Sequence, residues 1–193
     1  MEYIHRVISL IYYFLNVRIY KYLDFRAVVL FSVRVNGKKY ISVGSNSVVQ
    51  KDGWLLALKI DDNDPSIVIG EHCAIGDFSH IAAVRSVNIE DKVLIANKVY
   101  ISDNVHAYED VSIPVIDQKV LFKSTVTIKS GAWIGENVCI IGANIGKNAV
   151  VGANSVVTKD VPDYCIAVGA PAKVIKRYDF EKMKWVNQDS KIS

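Results

Sequence analysis

Residues 69–81 read IGEHCAIGDFSHI, with Ile69, Ile75 and Ile81 six places apart. A spacing of six fits neither the helical period of 3.6 nor the strand period of 2. It recurs in Val43, Val49, Leu55; Ile89, Ile95, Ile101; Ile128, Ile134, Ile140; and Ile145, Val151, Val157. Eight of the eleven glycines follow Ile or Val, and six of those eight stand at the second place of a hexad, so their placement is part of the pattern. The fifth place is small or β-branched in most hexads, as at Ser47, Cys73, Ser79, Val99, Ala132 and Ala149. It breaks at Lys59, Arg85 and Asn144, where the spacing also breaks: 14 residues from Leu55 to Ile69, 8 from Ile81 to Ile89, 5 from Ile140 to Ile145.

A short strand and a tight turn, three times per coil, explain both the rule and its exceptions. Aliphatic side chains point into a triangular prism, small residues fit its corners, and Gly or Asn accept the turn dihedrals. Stacked coils pair as parallel strands, each covering its neighbour's core, so the sequence predicts an all-β solenoid, a parallel β-helix of about five coils. A β-sandwich would need period two and hairpin signals; Asn36-Gly37 is the single Asn-Gly pair and precedes the repeats.

From Val157 the chain reads VTKDVPDYCIAVGAPAKVIKRY, with Pro162 and Pro171 closing the repeat. VVTKDVP followed by VGAPAKVIK resembles the closing coil and cap of the maltose and galactoside O-acetyltransferases. Residues 37–58 and VLIANKVYISDNVH, residues 93–106, are similar to the polysaccharide O-acetyltransferase branch. The resemblance covers about residues 37–178. It implies a left-handed β-helix, an exception to the usual right-handed crossover, with acetyl-CoA as donor and no metal. The expected division is a helical, basic capping segment at 1–36, a repeat region at 37–162 with a loop at 107–125, and a cap and tail at 163–193.

The loop arises because 27 residues separate Ile101 from Ile128, and His106 stands at its root. Acetyl transfer to a sugar hydroxyl needs a base for the hydroxyl proton, and imidazole is well matched to that work near neutral pH. In the resembled family the histidine in an SDxxH context, here Ser102 to His106, is that base. A second histidine often stands where this chain has Asn104. Asp103 is open to two readings, an orienter of the imidazole or a sugar hydroxyl, and an ordinary turn residue. The resemblance also places Trp133 beside the active site and the backbone amide of Glu136 at the thioester carbonyl, as a second catalytic contributor. It sets Ala153, Thr158 and Lys159 along the coenzyme arm, and Lys173 and Lys176 near its phosphates. The family implies a homotrimer with the groove between subunits, acting on a cell-surface polysaccharide or its lipid-linked precursor. A small free sugar, a nucleotide sugar or an antibiotic is the alternative acceptor.

Composition narrows the field further. Hydrophobic residues make up 51% and charged residues 22%, with a formal charge of +3, which argues against disorder and against a general nucleic-acid binder. Cys73, Cys139 and Cys165 are an odd set without a CxxC pair, so they read as packing residues in a reducing cytoplasm. A γ-class carbonic anhydrase would need a zinc-binding histidine set, but His5, His72, His80 and His106 lack its spacing. Counting coils stacks His80 on Tyr100 and sets His106 near Ser86; His72 and His80 read as turn residues. A non-catalytic β-helix adaptor would need no histidine, long loop and terminal lysines together.

Residues 1–40 carry seven Lys or Arg against Glu2 and Asp24. Helical spacing puts Ile4, Ile8, Ile11 and Leu15 on one face. That face either covers the open end of the prism or joins residues 1–35 to the inner membrane as a peripheral contact; the apolar run from Val7 to Leu15 is too short to span one.

Overall fold

The computed structural model describes residues 2–188, with side chains from Val7 onward. Three parallel sheets run the length of a prism. Face one is built from Tyr22–Leu23, Ile41–Val43, Ser66–Ile69, Ser86–Ile89 and Val126–Ile128, and continues through single bridges at Ile145 and Val161. Face two holds Val28–Val29, Val48–Val49, Ala74–Ile75, Leu94–Ile95, Trp133–Ile134, Val150–Val151 and Cys165–Val168. Face three holds Arg34–Asn36, Trp54–Ala57, His80–Ala83, Tyr100–Ser102, Cys139–Ile141 and Val156–Val157. The hexad aliphatics stack in register, Ile69 with Ile89 and Ile75 with Ile95, and each is at most 1% exposed. A fully buried side chain of this size contributes roughly 1.5–3 kcal/mol.

The five expected coils are present, and a sixth precedes them. Residues 22–36 form a coil of their own, so the expected capping segment 1–36 divides into a helix, α1 (Glu2–Asn16), and a first turn of the prism. Leu23, Val29 and Val35 are six apart, with Ala27 and Val33 at the fifth places; the signal was present, without the glycines that mark the later hexads. At the other end Pro162 does not end the repeat. Face two continues through Cys165–Val168, and two antiparallel strands, Lys173–Asp179 and Lys184–Asn187, extend it.

The turns correct the reading of glycine. The left-handed residue is the fourth of the hexad, and Asp52, His72, Phe78, Lys98, Asn137 and Tyr164 all occupy it with φ between 54° and 58°. Glycine at the second place answers a different constraint: a Cβ on Gly76 would lie 2.5 Å from the backbone of Ala96, and one on Gly135 2.6 Å from the amide of Ala153. The backbone of the next coil fills the space. His72, with φ of 56°, is a turn residue as expected. His80 is not; it stands at the sixth place and opens the strand His80–Ala83 on face three.

There His80 stacks on Trp54 with centroids 4.3 Å apart and planes at 6°, and lies 5.2 Å from Tyr100. Its Nε2 is buried without a partner among the described residues. Burial, and then the charge of Arg34, push its pKa down. The unfolded chain therefore binds a proton that the folded chain resists, so stability falls as pH drops through about 6.5 toward the folded pKa. Melting temperatures should decline over that window in the wild type, and the decline should shrink in His80→Phe. Equal slopes in the two proteins would refute this account of the stack.

α1 covers the prism's first coil, but with an unexpected edge. Ser9, Tyr12 and Asn16 are buried and Tyr13 packs on the core, while Ile8, Ile11 and Leu15 face outward. The side chain of Ile4 lies outside the described residues. The polar atoms decide the orientation: Tyr12 and Tyr20 hydroxyls are 2.6 Å apart, and Lys38 Nζ donates to Asn16 Oδ1 at 2.7 Å.

Candidate active site

All the irregular spacing falls at one corner, where face three gives way to face one of the next coil. Lys59, Arg85 and Asn144, the fifth-place exceptions, all lie there. The expected loop also leaves there, but it is an ordered antiparallel arm that starts earlier than residue 107. Asn104–His106 pairs with Val120–Phe122, His106 opposite Val120, and a 3-10 turn at Val115–Asp117 lies toward the tip. His106 is exposed on this arm.

Asp103 roots the arm. It is fully buried, and its carboxylate accepts hydrogen bonds from the amides of Val84 (2.8 Å), Arg85 (2.7 Å) and Ser86 (2.8 Å) and from Asn104 Nδ2 (2.9 Å). Four donors use the capacity of both oxygens. Asp103 therefore has no free lone pair with which to orient an imidazole, and its place among the catalytic residues is corrected to that of a structural anchor. It is Asp103, not His106, that reaches Ser86. Asn104 braces this carboxylate.

The arm's other supports carry no recognisable sequence signal. The Arg85 guanidinium lies 5.7 Å from the Phe122 ring and pairs with Asp61. The Lys123 amide donates to the Asp103 carbonyl at 2.8 Å, and the Lys123 stem packs over Gly142. Gly142, with φ of 58°, takes up the five-residue step before Ile145. Face one narrows there to a single bridge, whereas Trp133 keeps its register with Val150 on face two. A cleft lies there on face one, lined by Thr127, Lys129, Ile145, Asp160, Val161 and Asp163.

Trp133 is half exposed, 50%, on face two. Glu136 is exposed at the corner between faces two and three, directly over Ala153 in the next coil. Two coil pairs earlier the equivalent amide, Asp77 N, donates to Asn97 Oδ1 at 2.9 Å. Ala153 has no acceptor to offer, and the Glu136 amide makes no hydrogen bond to a described residue. Two separately expected residues thus combine: alanine below leaves the amide above open. Thr158 and Lys159 are exposed at the corner that bears His106, two coils further on; Lys173 is exposed and Lys176 half-buried on the strand that prolongs face two.

One chain does not bring these groups together. His106 rises from one edge of face three, and Glu136 sits at the other. A face of about six residues sets them roughly 20 Å apart. The outward residues of the faces differ, however. Face one presents Ser42, Ser66, Ser86, Asn88 and Thr127 beside Tyr22 and Val68; face two presents Val48, Leu94, Trp133 and Val150; face three presents Trp54, Leu56, Tyr100, Cys139 and Ile141, with His80 among them and Arg34 and Asn36 on its first coil. Two apolar faces flank the Glu136 corner, and the polar one lies opposite it. Among the described residues no cluster of His, Cys, Asp or Glu is arranged to hold a metal ion. Burial raises the thiol pKa values of Cys73 and Cys165.

The hexapeptide repeat of succinyl-transferase matches residues 66–103 and 125–159, the coils on either side of the arm. A protein assigned to O-acetyl transfer in lipopolysaccharide biosynthesis in Escherichia coli is 40% identical over 126 residues, 62% of this chain and 64% of that one. The chain is thus similar to hexapeptide-repeat transferases over these coils. Escherichia coli galactoside O-acetyltransferase is 35% identical over 108 residues, 55% of this hexapeptide-repeat chain and 52% of the relative. The chain thus spans less than two thirds of either relative. In fold it is similar to an N-acyltransferase of Bacillus cereus solved with dTDP-4-amino-4,6-dideoxyglucose and coenzyme A, with a TM-score of 0.74 at 19% identity over 87% of this chain and 89% of the other. A hexapeptide-repeat acetyltransferase of Vibrio cholerae gives a TM-score of 0.60 at 22% identity over 89% and 81%.

Proposed function

We propose that the chain is an O-acetyltransferase that moves acetyl from acetyl-CoA to a sugar hydroxyl of a cell-surface polysaccharide or its lipid-linked precursor. The clefts between subunits of a homotrimer are its active sites. The observation that carries the reading is the exposed His106, held on an anchored arm at one edge of an apolar face, with an open amide at the other edge. Packing face three of one subunit against face two of the next removes both apolar faces from water and leaves the polar face outside. A shared site requires that packing to be offset so that the His106 edge of one subunit meets the Trp133–Glu136 segment of its neighbour.

Within that cleft His106 takes the proton from the acceptor hydroxyl as its oxygen attacks the thioester carbonyl. The Glu136 amide donates to the carbonyl oxygen as negative charge collects on it. The thiolate then leaves and is protonated, so no group of the protein is acylated. Trp133 offers an apolar wall for the pantetheine arm with Ala153, Thr158 and Lys159 along it, and Lys173 and Lys176 supply charge for the phosphates. This reading places the enzyme in the cytoplasm, with residues 1–35 in peripheral contact with the inner membrane; no described helix is long and apolar enough to cross it.

Light scattering together with coenzyme A release tests the proposal, using acetyl-CoA with free sugars, nucleotide sugars, lipid-linked oligosaccharides and polysaccharides as acceptors. A trimer mass and acetylation of lipid-linked or polymeric sugar are expected. An active monomer, or turnover confined to small free acceptors, would contradict it.

A further inference from the structure

The exposed side of α1 is the strongest unexplained surface of the molecule. Val7, Leu10, Ile11, Phe14, Leu15 and Ile19 are each between 38% and 74% exposed, and residues 7–17 contain no charge. An amphipathic helix at the end of a solenoid normally turns its aliphatic stripe inward. Here the inward places belong to Ser9, Tyr12 and Asn16, the last two fixed by hydrogen bonds, and the aliphatic stripe faces away from the coils. The Tyr12 ring packs on Phe31 at 5.3 Å and belongs to the same core cluster as Leu23, Val29 and Val33, so α1 plugs the prism's end. Its outer face therefore points along the prism axis.

Charge selects the occupant. Arg18, Lys21 and Arg26 are exposed at this same end, and the sole acidic residue between Tyr3 and Lys51 is Asp24. That carboxylate is already engaged by the Tyr22 hydroxyl and the Arg26 amide. An apolar helix face with a cationic surround suits the headgroup boundary of an anionic bilayer.

We infer that the protein stands on its N-terminal end on an anionic lipid surface, and that its height selects a lipid-linked oligosaccharide over a single sugar on a lipid carrier. The second half of this inference rests on the acetyl-transfer reading; the first does not. His106 follows the fourth coil, three coil spacings of about 4.8 Å above the first, and α1 adds about 10 Å, so the imidazole's root lies roughly 24 Å from the helix axis. A sugar attached directly to a carrier phosphate stays at the headgroups, well below that level. A hydroxyl several sugars along the chain reaches it.

Two measurements separate the parts. In the first, dyes are placed on Phe25→Cys, Val111→Cys or Met183→Cys in a Cys139→Ser background, and energy transfer to labelled lipid is read on phosphatidylglycerol vesicles. The first coil, the arm and the last turn give a falling series, since the last turn lies about 35 Å beyond the first coil. Binding should weaken by about fivefold for each of Arg18, Lys21 and Arg26 replaced by Gln, and Phe14→Glu, an outward position, should abolish it while the protein keeps its melting temperature. Equal transfer from all three sites, absence of binding, or pairing of trimers through α1 in light scattering would overturn the seating. In the second, vesicle-borne acceptors of one sugar and of several are compared with the same sugars free in solution. Acetylation restricted to the longer lipid-linked acceptor supports the inference, and equal acetylation of both lengths overturns the height argument. Failure to acetylate any acceptor, free or bound, counts against acetyl transfer itself and leaves the seating to the energy-transfer result.

Discussion

Replacing His106 with alanine lowers turnover by about two to four powers of ten while coenzyme binding changes little, because general-base removal takes that much from the rate and His106 carries no structural contact. The arm explains why the binding should survive. His106 is exposed on a strand held by backbone pairing with Val120, so the truncation leaves neither a cavity nor an unpaired buried group. Steady-state kinetics with acetyl-CoA and calorimetric binding of coenzyme A separate the two effects. Intact mass during turnover should show no acylated protein. Near-normal turnover in His106→Ala would remove the imidazole from the mechanism.

Replacing Asp103 acts in a different way, through stability. Asp103→Ala strands the buried amide of Val84 and the half-buried amides of Arg85 and Ser86, and an unsatisfied buried donor costs about 1–3 kcal/mol. The expected loss is roughly 3–5 kcal/mol, or roughly 10 °C in melting temperature for a domain of this size. Asp103→Asn retains acceptor oxygen but turns an NH2 toward a donor, so it should fall between the wild type and alanine. An orienter of His106 would behave otherwise, losing turnover at an unchanged melting temperature. Thermal unfolding of the three proteins decides between these roles.

How far the sequence alone could reach is shown by particular residues. The spacing of Ile69, Ile75 and Ile81 is legible because an inward place recurs at a fixed interval, and the prism follows from it. The first coil is harder to see, since Leu23, Val29 and Val35 lack glycine and lie among basic residues that suggest a separate segment. His80 reads as a turn residue because place four and place six of a hexad look alike without the register; the stack on Trp54 tells them apart. At the site, the SDxxH placement identifies His106 but says nothing of Asp103, whose partners lie 17 to 19 residues upstream and meet it only when coils stack. The same holds for Glu136, whose open amide depends on an alanine in the following coil. The orientation of α1 defied its hydrophobic pattern, because hydrogen bonds from Tyr12 and Asn16 outweigh the preference of the aliphatic stripe.

Subunit mixing bears most directly on the central claim, that the site is shared between neighbours. His106→Ala removes the base from one side of the cleft, and Glu136→Pro removes the amide donor from the other while leaving the Glu136 carbonyl free to accept from Asn154. Each variant alone should be nearly inactive, the second by about two to three powers of ten. When equal amounts are unfolded and refolded together, each cleft draws an intact His106 and an intact Glu136 independently, so about a quarter of wild-type activity should return. A mixture no more active than the two variants measured apart would contradict a site built across the interface.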